Sequence, residues 1–98
     1  MKKIAVELTF HTDIIEVPDH IANSIRKVQH KFDRWLYDKS NDHGCWVVIN
    51  GQKRAVSFGT SDFVNYINEY MLSDDVSKAS IVQERLSAPP YGMPTIFF

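Results

Sequence analysis

Apolar and polar residues alternate over residues 3 to 10, with Ile4, Val6, Leu8 and Phe10 on one side and Lys3, Ala5, Glu7 and Thr9 on the other. A period of two is that of a strand with one face buried. The stretch HTDIIEVP that follows breaks the alternation and reads as a connection, with Pro18 placed for a first helical turn. There the period changes. Ile21, Ile25, Val28, Phe32, Trp35 and Leu36 fall on a single face of a helix running from about Asp19 to Asp38. Asp19 near its start and Lys39 near its end both suit the helix dipole.

After the polar loop KSNDHG, residues 45 to 58 read as a β-hairpin, because Asn50-Gly51 is the preferred pair for a two-residue type I′ turn. That turn sets Ile49 against Gln52, Val47 against Arg54 and Cys45 against Val56. The core side is then Cys45, Val47, Ile49, Val56 and Phe58, with Trp46, Val48, Lys53 and Ala55 opposite. Thr60 is placed as an N-cap with Asp62 in the first turn, and Phe63, Ile67, Tyr70 and Met71 mark a shorter amphipathic helix to about Leu72. The segment KASIVQERL fits a strand or a helix over 79–86, and the β-branched Ile81 and Val82 favour a strand. PTIFF is expected as a short edge strand that closes the core with its aromatics. The expected fold is α+β: a single layer of two helices packed on a mostly antiparallel sheet, in the order β-α-β-β-α-β-β.

Ninety-eight residues bound this to a single α+β domain, 1–98, without room for a second core. No run of 18 apolar residues is present to span a membrane as a helix, and Glu7 interrupts the only N-terminal apolar stretch, which therefore does not read as a signal peptide. The single cysteine cannot form an internal disulfide, so a reducing, cytoplasmic location is expected.

Candidate chemistry is sparse. His43 and Cys45, two apart on a strand, share a face, but a zinc site needs a second close ligand pair and none is present. His11 and Asp13 share a loop in this reading. Cys45 lies on the apolar hairpin face, where a thiol behaves as a small hydrophobe. No nucleophile elbow, phosphate loop or H-E-x-x-H occurs. The expectation is a protein without catalytic residues, metal or cofactor.

Charge adds a contrast. Residues 1–60 hold nine Lys/Arg against seven Asp/Glu, whereas residues 61–98 hold two against five. In the first part, Arg26, His30 and Arg34 form one row along the long helix and Lys27 with Lys31 the next, a stripe suited to phosphates. The net charge of −1 argues against nucleic acid as the main partner and leaves this as the alternative function, a small nucleic-acid-binding or regulatory protein. In the second part, Asp62, Asn65, Tyr66, Glu69, Asp74 and Asp75 cluster in and just after the shorter helix. Acidic groups around an aromatic suit docking onto a basic protein.

The runs W-L-x(9)-W-V-V-I-N-G and V-S-F-G-T-S-D-F-V-N-Y-I-N-E-Y-M-L, with the ending P-T-I-F-F, resemble small bacterial immunity proteins. These are the proteins paired with toxins of contact-dependent growth inhibition and related polymorphic toxin systems. The resemblance implies a cytoplasmic, non-enzymatic protein that binds its cognate toxin domain and covers its active site. Such toxins are often nucleases with basic clefts, which the acidic surface would complement.

Overall fold

The alternating N-terminal segment forms strand β1, Lys2–Glu7, which stops three residues before its pattern does. This computed structural model describes residues 1–98. The chain turns through Leu8–His11, where the Leu8 N–H donates to the His11 carbonyl at 2.9 Å. It returns as β2, Thr12–Val17, antiparallel to β1 with Ile4 opposite Ile15 and Val6 opposite Asp13. The segment expected as a connection is thus a central strand. Its alternation is missing because Thr12, Asp13, Ile14, Ile15 and Val17 are all buried, on both faces of the sheet. Phe10, expected in the strand, lies in the turn and is 94% exposed.

The long helix is two helices, α1 (Asp19–Ala22) and α2 (Ile25–Tyr37). The break falls at Asn23-Ser24, where the Ser24 N–H reaches back only to Ile21, at 3.1 Å. Asn and Ser are weak helix formers because their side chains compete for nearby polar groups. Here Asn23 Oδ1 accepts a hydrogen bond from Lys2 Nζ at 3.0 Å. The apolar face continues across the break, with Ile21, Ile25, Val28, Phe32 and Leu36 buried.

The hairpin pairs β3 (Trp46–Ile49) with β4 (Gln52–Val56), and Asn50 (φ 53°) and Gly51 (φ 75°) make the left-handed turn. A bulge between Val47 and Val48 sets Trp46 against Val56 and Val47 against Ala55, so the expected register holds only at the tip. Val47 and Ile49 are exposed, and of the expected core side only Cys45, Val56 and Phe58 pack on the core.

Helix α3 (Thr60–Tyr66) runs directly into a π-helical turn, Ile67–Met71, closed by an i→i+5 bond from the Leu72 N–H to the Ile67 carbonyl at 3.0 Å. Residues 80–86 are a strand, β5 (Ser80–Leu86), and the C-terminal segment forms β6 (Thr95–Phe97). In β6 Ile96 is buried and Phe97 exposed, so that of the two aromatics only Phe98, just past the strand, packs on the core. The main sheet has the order β5-β2-β1-β6, with β6 parallel to β1 at one edge, and β3-β4 forms a separate two-stranded sheet. The fold is α+β in the order β-β-α-α-β-β-α-β-β, which adds β2 and the helix break to the expected order.

The core lies between the helices and the sheet face carrying Ile4, Val6, Ile15 and Val17. Phe32 is its centre, with ring centroids of Trp35, Phe58, Phe63, Tyr66 and Phe98 between 5.2 and 6.0 Å away. No helix is long and apolar enough to cross a membrane.

Candidate functional site

The six residues expected to bind a partner separate by burial. Asp62 is half-buried and closes the first turn of α3, its Oδ2 accepting the Gly59 N–H at 2.8 Å. Gly59 is therefore the N-cap, and Thr60, expected there, lies inside the helix with its hydroxyl donated to Asp13. Tyr66 is only 8% exposed, and its ring packs against Phe32, Trp35 and Tyr70. It is a core residue, so the surface anchor expected at that position is not on the surface. Asn65, Glu69, Asp74 and Asp75 are exposed. Glu69, Asp74 and Asp75 have no lysine, arginine or histidine partner.

The π turn explains which aromatic reaches solvent. A regular α-helix would carry Tyr70 on the buried face with Phe63 and Ile67. The wider i→i+5 ring shifts the phase, so Tyr70 is 53% exposed and lies outside Tyr66 and Trp35, at 5.1 and 5.6 Å. The loop that follows is tied at both ends. Lys78 Nζ donates to the Leu72 carbonyl, and Asn68 pairs with the Ala79 backbone through Nδ2–O (3.0 Å) and N–Oδ1 (2.7 Å). Asp74 and Asp75 project from this anchored loop.

Glu69 and Tyr70 also form one wall of a cleft of about 430 Å³, whose other walls include Trp35, Asn41, Asp42 and His43. The opposite wall is a loop with most of its polar groups satisfied. Asn41 Nδ2 donates to the Trp35 carbonyl at 2.9 Å, and Trp46 Nε1 donates to the Asn41 carbonyl at 2.7 Å. Lys53 reaches across from β4 to the Lys39 carbonyl (2.6 Å) and the Asp42 carboxylate (2.5 Å), while its ammonium lies 5.5 Å from the Trp46 ring centroid. The hydrogen bond and charge of Lys53 hold the Asp42 carboxyl below its ordinary range. Asp38 is held low in the same sense by hydrogen bonds from the Ser40 hydroxyl and N–H.

His43 belongs to this framework. Its Nε2 donates to the Leu36 carbonyl at 2.6 Å and its Nδ1 accepts the Cys45 N–H at 3.2 Å, which selects the Nε2–H tautomer. The ring stacks on Trp46 at 5.0 Å. With both nitrogens engaged, His43 is not free to chelate alongside Cys45, and no group of three His, Cys, Asp or Glu side chains is placed to hold a metal. Burial, reinforced by the Asp62 carboxylate, pushes the Cys45 thiol up, which keeps it protonated at neutral pH.

On the other flank, Arg26, Lys27, His30, Lys31 and Arg34 are all exposed along α2, and none is paired with a carboxylate. Asp33 is half-buried among them, and burial raises its carboxyl.

Sequence reasoning missed Trp35, Asp42 and Tyr70 as surface-site residues. Trp35 and Tyr70 were absorbed by helical periodicity, and Asp42 lies in a loop where periodicity carries no information. Comparison of the chain with protein-family models, with curated proteins and with solved structures gives no match.

Proposed function

We propose that this chain is a non-enzymatic protein-binding module of the bacterial cytoplasm, an immunity protein that neutralises a cognate toxin domain by covering its active site. The observation that carries the reading is the exposed, unpaired Glu69 adjoining the exposed Tyr70 at one cleft, with the exposed and unpaired Asp74 and Asp75 on the anchored loop that follows. Unpaired carboxylates on one partner accelerate encounter with a basic cleft, and a tyrosine supported from behind by other rings is a suitable anchor. Tyr70 takes the role that the sequence assigned to Tyr66. A nuclease domain, whose cleft must be basic to hold phosphates, is the partner this surface complements.

The test is protection. The chain is expected to restore growth to cells expressing its cognate toxin domain and to co-elute with that domain at equal stoichiometry. Growth arrest despite soluble expression of both proteins would reject the reading.

A second reading rests on the exposed, unpaired basic row of α2. Under it, RNA or DNA would bind with an affinity that falls steeply with salt, and Arg26→Glu with Lys31→Glu would abolish binding. The immunity reading expects no such binding at physiological salt.

A further inference from the structure

Away from the acidic surface, the turn between β1 and β2 and the segment entering α3 enclose a groove of about 320 Å³. Leu8, Phe10, Phe58 and Phe98 supply apolar walls, and His11 is the ionisable side chain lining it. Ligand sites are commonly apolar concavities of this size with a few fixed polar groups, and an apolar cavity of about 150 Å³ already admits benzene.

What distinguishes this groove is how His11 is held. Asp13, only 4% exposed, accepts hydrogen bonds from Thr60 Oγ1 (2.5 Å) and His11 Nε2 (3.1 Å) on one oxygen, and from the Arg85 N–H (3.0 Å) on the other. Arg85 stands at φ 59°, a left-handed position uncommon for a residue with a side chain, within the irregular stretch of β5 opposite Asp13. Three separate elements thus converge on one buried carboxylate. Burial alone would raise its pKa, but the hydrogen bonds from Thr60 and Arg85 and the proximity of His11 outweigh that and lower it, so Asp13 is ionised at neutral pH. An ionised carboxylate only accepts, so Nε2 must donate. In the neutral ring the lone pair is therefore on Nδ1, which has no hydrogen-bond partner within the protein.

We propose that this groove binds a small neutral ring compound bearing one hydroxyl, of the phenol class, with the ring against Phe10, Phe58 and Phe98 and the O–H donated to Nδ1 of His11. The chemistry selects this class over its neighbours. A bare hydrocarbon ring fills the walls but leaves the imidazole nitrogen unpaired. An organic anion would meet the Asp13 carboxylate behind His11 and aromatic walls with no lysine or arginine among them. The proposal is independent of the protein-binding reading, since it uses none of the same residues.

Titration of the full chain with phenol, benzene and benzoate, followed by NMR of the His11 ring and the groove aromatics, tests it. Phenol is expected to bind with a dissociation constant on the order of 1 mM, as its size allows. Benzene and benzoate should each bind about tenfold more weakly, one hydrogen bond's worth. His11→Phe keeps the walls and should abolish the preference for phenol over benzene. Phe10→Ala changes an exposed turn residue that folding does not need, and should weaken phenol and benzene alike. Equal wild-type affinity for phenol and benzene would overturn the proposal, as would tighter binding of benzoate or the absence of any shift at His11 under phenol.

Discussion

The molecule contains two antiparallel hairpins of similar apolar content and opposite fate. β1 and β2 carry Ile4, Val6, Ile15 and Val17, buried beneath the helices, and Ile14, buried on the opposite face, with β5 and β6 flanking the two strands. β3 carries Trp46, Val47, Val48 and Ile49, yet its last three residues are exposed, Val48 by 57%. No further strand joins that hairpin, which is held at its base by Cys45, Val56 and Phe58 on the core and by Trp46 on the Asn41 carbonyl, and nearer its tip by Lys53 on the same loop. Neighbours decide burial here; strand composition does not. The buried hairpin should therefore set global stability, and the projecting one should fail locally.

The largest contrast is expected from core truncation. Phe32→Ala empties the centre of the aromatic cluster and should cost about 4 kcal/mol in urea unfolding. That is a large part of what a domain of this size possesses. Val48→Ala in the projecting hairpin should cost less than about 0.5 kcal/mol by the same measurement. Comparable losses would show that the hairpin is packed after all.

Asp13→Ala comes next, at about 3 kcal/mol, because it leaves Thr60, His11 and the Arg85 N–H without their acceptor. The pH dependence has a definite sign. The Asp13 carboxyl is lowered from its ordinary value of 3.8 on folding, so its contribution is complete above 3.8 and is lost as the pH falls below that value. Asp13→Asn should accordingly flatten the acid limb of a stability-against-pH curve. An acid limb as steep as in wild type would place that titration on another residue.

Gly51→Val forces a β-branched residue to φ 75° and should cost about 1–2 kcal/mol. In a projecting hairpin that cost appears as faster hydrogen exchange in β3 and β4, with exchange in β1 and β2 unchanged. Cys45→Ala, at the half-buried base of the hairpin, is expected to lower stability by no more than about 1 kcal/mol.

The two hairpins also explain what the sequence revealed. β1, α2 and the Asn50-Gly51 turn were legible because each has a local cause: a period of two, a period near 3.6, and a pair that accepts positive φ. β2 was hidden because burial on both faces erases alternation, and the polar pair Thr12-Asp13 at its start looked like a loop. Asp13 is buried only because Thr60, forty-seven positions away, and Arg85, seventy-two away, supply its donors. No local window contains that information. The acidic surface was half legible: Glu69, Asp74 and Asp75 followed from charge, but the exchange of Tyr66 for Tyr70 depends on a π turn that α periodicity cannot foresee.

That exchange leads to the most direct test of the binding account, the association and dissociation rates of the proposed toxin partner, measured against salt. Glu69→Lys combined with Asp74→Lys should slow association by about tenfold at low salt, and the difference should shrink as salt rises. Tyr70→Ala should instead quicken dissociation, with a loss on the order of 2 kcal/mol. Circular dichroism should show both variants folded, since the altered side chains are exposed. If both variants bind like wild type while Arg26→Glu with Lys31→Glu abolishes binding, the partner sits on the basic face of α2 and the account is contradicted.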